Sequence, residues 1–111
     1  MDQFLEYCKN GELDNIKKLS QKKRNLDSGF RWACENGHYD IVKYLVNLYK
    51  RDTTYKPIDI HTRDEWSFRW ACTNGHYDIV QYLVEFHRKH SVYKPIKNYL
   101  IIFKKFDKYL L

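Results

Sequence analysis

The amino-acid sequence predicts an all-α domain built as a solenoid of stacked helix–turn–helix units. Three observations carry that prediction. Phe30 to Val46, FRWACENGHYDIVKYLV, returns at Phe68 to Val84 as FRWACTNGHYDIVQYLV, identical at fifteen of seventeen positions, with Glu35/Thr73 and Lys43/Gln81 the two that differ. The copies lie thirty-eight residues apart, and YKPI repeats at the same distance, Tyr55 to Ile58 and Tyr93 to Ile96; a period in this range marks a stacked repeat protein. A weaker copy, Cys8 to Leu19, precedes Cys34 to Leu45 by only twenty-six residues, so the unit is constant and the connector varies.

Each unit has a physical reading. Phe30, Ala33 and Cys34 place apolar or small side chains on one side of a short helix, and Asn36-Gly37 ends it, because glycine accepts the left-handed conformation that closes a helix. Asp40 follows at the positive end of a second helix, where a carboxylate is favoured. Ile41, Val42, Leu45, Val46 and Tyr49 recur at helical spacing and predict a buried face.

These residues resemble the ankyrin-repeat pattern T-P-L-H-L-A-A-x-x-G-H-L-E-I-V-K-L-L-L. Ser28 to Cys34 stands over its first half and Gly37 to Val46 over its second, with Arg31 and Arg69 at the place of the family's first histidine. The Phe-Arg-Trp-Ala-Cys variant, with its YKPI and IDIH connector, is similar to the divergent ankyrin repeats of giant DNA viruses of amoebae. The resemblance implies an ankyrin solenoid with short or reduced hairpin connectors. It also implies that His38 and His76 hydrogen-bond across the turn.

The single domain, 1–111, divides into repeats at about 2–27, 28–64 and 65–96 and a cap helix at 97–111. In repeat one the basic run Lys22-Lys23-Arg24 reads as a solvated loop that complements the negative end of the preceding helix. Asn25, Asp27 or Ser28 can cap the next helix. The thirty-eight-residue period exceeds the family's ~33, and the surplus before Pro57 predicts an extended second helix or a longer outer loop in repeat two. Ile58-Asp59-Ile60-His61-Thr62 alternates like a strand and Arg63-Asp64-Glu65 reads as an exposed turn, with Asp64 a candidate cap for repeat three. In 97–111, Tyr99, Ile102, Phe103, Phe106 and Leu110 fall at helical spacing away from most of the lysines, which predicts an amphipathic helix covering the end of the stack.

Composition narrows the function. Met1 to Glu6 carries acids where a signal peptide needs a basic segment, and no run approaches the eighteen apolar residues of a membrane span, so an intracellular monomer is expected. Cys8, Cys34 and Cys72 fall at one repeat position, where the family prefers alanine, and read as small core residues in a reducing compartment. The net charge is +6, and half of that excess lies in the last sixteen residues, which carry four lysines and one aspartate.

No phosphate loop, nucleophile elbow, HExxH or dinucleotide fingerprint occurs, so neither an enzyme nor a cofactor is expected. Cys34 and His38 with Cys72 and His76 match zinc in ligand number, but equivalent positions of stacked repeats lie about 8 to 10 Å apart, whereas zinc holds ligands within about 2.0 to 2.3 Å. His87 and His90 lie one helical turn apart beside Arg88 and Lys89, which oppose a cation. No metal site is expected.

The expected function is a non-catalytic protein-interaction module for an unknown protein partner. In the family, partners bind along the inner surface of connector tips and first helices. Carried onto this chain, that implies Lys9, Glu35 and Thr73 before each Asn-Gly, Arg31 and Arg69, and Arg63, Asp64, Glu65 and Trp66 in the connector. Trp32 and Trp70 read as inter-repeat packing and Trp66 as an exposed contact. The alternative is a basic nucleic-acid-binding protein using Lys22 to Arg24 and the lysine tail; against it, the charge does not line one repeated face.

Overall fold

The computed structural model of the chain describes residues 2–19, 25–52, 55, 58 and 62–89, the last stretch with side chains at 66–86. Among them run α1 (Gln3–Asn10), α2 (Leu13–Lys17), α3 (Leu26–Asn36), α4 (Tyr39–Arg51), α5 (Thr62–Thr73) and α6 (Tyr77–Lys89), with no strand. The fold is an all-α repeat stack. The first helices α1, α3 and α5 lie side by side in that order, α4 backs α3, and α6 backs α5 and meets α4.

One turn, built three times, joins the two helices of each unit. Gly11, Gly37 and Gly75 all take the left-handed conformation, with φ of 79°, 80° and 76°. The N–H of the residue after each glycine returns to the last turn of the helix: Glu12 to the Tyr7 carbonyl at 2.9 Å, His38 to Ala33 at 2.9 Å and His76 to Ala71 at 2.8 Å. These bonds satisfy carbonyls that the helix end would otherwise orphan. Asp40 and Asp78 stand in the first turns of α4 and α6, and Asp2 and Asn25 cap α1 and α3 through bonds from the Leu5 and Ser28 amides.

The core is a set of ladders running along the stack. Phe4, Phe30 and Phe68 are buried at one repeat position and Cys8, Cys34 and Cys72 at another, with Ile41 and Ile79, Val42 and Val80, and Leu45 and Leu83 behind them. Burying one such apolar side chain contributes roughly 1.5–3 kcal/mol. Because each rung touches the next repeat, stability is shared across the interfaces. Gly29 lets α1 and α3 approach closely, since a Cβ there would sit 2.8 Å from the Phe4 ring and 2.9 Å from the Cys8 sulfur. Its counterpart in repeat three is Ser67, buried, with its hydroxyl hydrogen-bonded to the Cys34 thiol.

Repeat one departs from the other two on its second helix. α2 is five residues long, and Asn15 and Lys18 stand where the later repeats bury isoleucine or pack tyrosine.

The connector differs from the sequence expectation. α5 begins at Thr62, so Arg63, Asp64 and Glu65 form its first turn; they make neither an exposed turn nor a cap. Acidic residues favour a helix start, which explains why a polar triplet extends the helix here. Ile58 is buried in the core and forms no strand, and residues 59–61 lie outside the described residues. The second helix of repeat two, α4, runs thirteen residues. The anticipated cap helix at 97–111 lies outside the described residues.

Two measurements follow from this architecture. A Cβ at Gly37 would meet the His76 ring at 2.6 Å, whereas one at Gly75 has nothing within 4 Å. G75A should therefore cost about 1–2 kcal/mol in urea denaturation, from backbone strain alone, and G37A about 1 kcal/mol more, because His76 must also leave its hydrogen bond. The second measurement concerns pH. Burial pushes the Cys72 thiol up to about 12, and burial plus the charge of Asp2 does the same for Cys8, from an ordinary value of 9.0; the Cys34 thiol is raised further by burial. The folded chain thus holds these protons after the unfolded chain has released them, so the thiols' contribution to stability is complete below pH 9 and is lost as pH rises toward 12. The melting temperature should fall across that window, less steeply in the C8A/C34A/C72A variant.

Candidate functional site

The exposed side of the first helices is positioned by contacts between repeats. His38 Nε2 donates to the Lys9 carbonyl at 2.9 Å, and His76 Nε2 to the Glu35 carbonyl at 3.1 Å. Asn74 Nδ2 donates to that same Glu35 carbonyl at 2.9 Å. A carbonyl can only accept, so both rings carry their proton on Nε2. The bonds expected across the turn are made from each turn to the preceding repeat. The missing side chain of Gly11 and Gly37 is what admits the ring. These histidines serve the stack, and the three thiols lie in the core.

Along the face so positioned, two shallow clefts sit side by side. Arg31, Trp32, Glu35 and Trp66 line the first, of about 170 Å³. Trp66, Arg69, Trp70 and Thr73 line the second, of about 230 Å³. Small-molecule sites usually occupy about 300–1,000 Å³, so each cleft suits a single side chain. All three tryptophans of the chain meet here, Trp66 serving both clefts.

The geometry sorts the residues singled out from sequence. Arg31, Glu35, Trp66, Arg69 and Thr73 come together in the two clefts. Lys9 reaches the same side, its ammonium 5.2 Å from the centroid of the Trp32 ring. The side chains of Arg63, Asp64 and Glu65 lie outside the described residues, as do Lys22, Lys23, Arg24 and the lysine tail. Trp66, anticipated as the exposed tryptophan, is half-buried, with its ring centroid 5.6 Å from that of Trp70. Trp70 is the exposed one at 36 %, and Trp32 packs partly against the core. Sequence reasoning missed Trp32 and Trp70 as lining residues, because identical residues at equivalent positions read as packing.

Arg31 carries the least settled polar group on the face. Its Nη2 donates to Ser28 Oγ at 3.1 Å, while its Nε is buried without a hydrogen-bond partner among the described residues.

The helix pairs, their glycine turns and their stacking agree with the family comparison. A model of the family described as "Ankyrin repeats (3 copies)" matches residues 4–94. The chain belongs to the ankyrin-repeat family. No curated protein and no solved structure matches it. Ankyrin repeats generally mediate protein–protein interaction and are typically non-catalytic, and among the described residues no helix is long and apolar enough to cross a membrane. In this ankyrin-repeat chain the tie between neighbours runs through His38 and His76, while Arg31 and Arg69, at the family's first histidine position, line the clefts.

The tryptophans should separate stability from surface. W70A should change unfolding free energy by only about 0.5 kcal/mol, as an exposed substitution does. W32A should cost about 1–3 kcal/mol, since it removes packing against the core and the ring under Lys9. Thermal denaturation of the two variants side by side makes the comparison.

Proposed function

We propose that this ankyrin-repeat chain is a non-catalytic interaction module, monomeric and intracellular, that presents the two-cleft face of its first helices to a protein partner. The observation that supports the reading is the convergence of Trp32, Trp66 and Trp70 with Arg31 and Arg69 on one side of the stack. Tryptophan and arginine are the side chains that dominate interface energetics, at about 2 kcal/mol or more each where they act as anchors. The mechanism is rigid presentation: inter-repeat bonds hold the helices, so little ordering free energy is lost when the partner binds. The Phe-Arg-Trp-Ala-Cys form of the repeat supports an origin among the giant DNA viruses of amoebae, with the host cytoplasm as the place of action.

Capture from lysate tests the reading. Tagged protein incubated with whole-cell lysate, with and without nuclease and at low and high salt, should retain a small set of proteins through every treatment. That set should disappear with W70A, which leaves the fold intact. Loss of all partners on nuclease treatment would instead favour nucleic acid as the ligand, since phosphate contacts weaken steeply with salt.

A further inference from the structure

The surface by which one repeat receives the next is built three times and used twice. At Gly11 and Gly37 the space of the missing Cβ holds the ring of the following repeat's histidine, 2.6 Å from where that Cβ would stand. The ring donates to the carbonyl two residues before the glycine, Lys9 or Glu35. Between repeats two and three an aromatic pair completes the contact, Tyr39 meeting Tyr82 edge-on with ring centroids 5.7 Å apart. Glycine, carbonyl and tyrosine make one socket.

Repeat three carries the same three parts as Gly75, Thr73 and Tyr77. Gly75 keeps the left-handed backbone, with φ of 76°, and among the described residues nothing lies within 4 Å of its Cβ position. Among those residues no hydrogen bond ends on the Thr73 carbonyl. Tyr77 is 53 % exposed, whereas Tyr39 is half-buried beside Tyr82.

No histidine of the chain can reach this socket. Of the five, His38 and His76 already bind the Lys9 and Glu35 carbonyls. His61 adjoins the end of α5 opposite Thr73, and His87 and His90 lie at or just past the far end of α6, so helix length alone keeps all three about 15 Å or more away. A second copy of the chain lacks the key as well. Its repeat one has Glu12 at the histidine position, and a carboxylate, like the carbonyl it would meet, only accepts.

We propose that the Thr73 carbonyl, Gly75 and Tyr77 form a second interaction surface, at the turn end of repeat three, that docks the Asn-Gly-His turn of a helix–turn–helix unit in a different protein. The occupant's chemistry is set by the way repeat three fills the socket of repeat two. Asn74 and His76 both donate to the Glu35 carbonyl, and Tyr82, six residues after the histidine, covers Tyr39. The partner therefore carries an asparagine two residues before its histidine and an aromatic six residues after it. Glu12 keeps copies of this chain apart and leaves the socket to that partner.

The E12H variant tests the socket, because it places a ring behind an Asn10-Gly11 turn that is already formed. The parent chain, E12Q and E12H are compared by sedimentation velocity over a concentration series, and isotope-labelled parent chain is titrated with unlabelled E12H by NMR. E12H should associate head to tail, its mass growing with concentration because such a contact does not close on itself. It should do so roughly tenfold more tightly than E12Q, the worth of about one hydrogen bond, while the parent stays monomeric. In the labelled parent the amide signals of Thr73, Gly75 and Tyr77 should move. Adding G75A or Y77A to E12H should reverse the gain, and Y77A alters an exposed side chain without straining the backbone. Equal association of E12H and E12Q, signal changes at Trp32 and Trp70 in place of the turn, or no association of E12H at millimolar concentration would each overturn the proposal. The cleft reading is decided separately, by W70A in the lysate capture.

Discussion

Among the described residues, neighbouring repeats are tied together where a glycine with positive φ lies under a histidine ring. Gly11 and Gly37 each close a first helix, and each also leaves room for the imidazole of the following repeat to reach the carbonyl two residues before it. Two demands coincide on one residue. The backbone needs a conformation costly to any other residue type, and the ring needs the volume where a Cβ would stand. That contact joins the turn of one repeat to the end of the preceding first helix, at Lys9 and at Glu35, and Glu35 lines the first cleft.

The repeat made the fold legible. Fifteen identical positions in seventeen identify the helices, the turn and the buried ladders of Phe30/Phe68, Cys34/Cys72 and Leu45/Leu83 without reference to any structure. Identity states which residues are equivalent; it does not state what each one faces. Trp32 and Trp70 show the difference. The residue that reaches over Trp32 from the preceding repeat is Lys9, and its equivalent one repeat later is Glu35, a carboxylate that has no attraction for the face of an indole. One tryptophan is covered and its twin stands exposed, although their own sequence contexts are nearly the same.

The connector was less legible for a related reason. Arg63, Asp64 and Glu65 have no apolar periodicity of their own, so a polar loop was the natural reading, whereas the start of a helix accepts polar residues on every side. The reach of His38 and His76 into the preceding repeat was hidden as well, because hydrogen-bond direction depends on which turn lies beneath the ring, a fact of stacking. Repeat one was recognisable from Cys8 to Leu19, but Phe4 joins the Phe30 and Phe68 ladder in a helix that otherwise shares only Cys8 and Asn10 with the other two repeats.

The histidine-on-glycine contact has a direction: repeat one receives the His38 ring at Gly11, repeat two offers that ring and receives His76 at Gly37, and repeat three offers His76. A unit that carries both halves, as repeat two does with Gly37 and His38, is interchangeable along the stack. Another such unit spliced between α4 and α5 would seat its histidine on Gly37 and present its own glycine to His76, with no change to either neighbour. Growth by internal duplication thus costs this architecture nothing in compatibility, and every unit added would lengthen the line of arginine and tryptophan clefts by one. The near-identity of the second and third repeats is what such a history leaves behind.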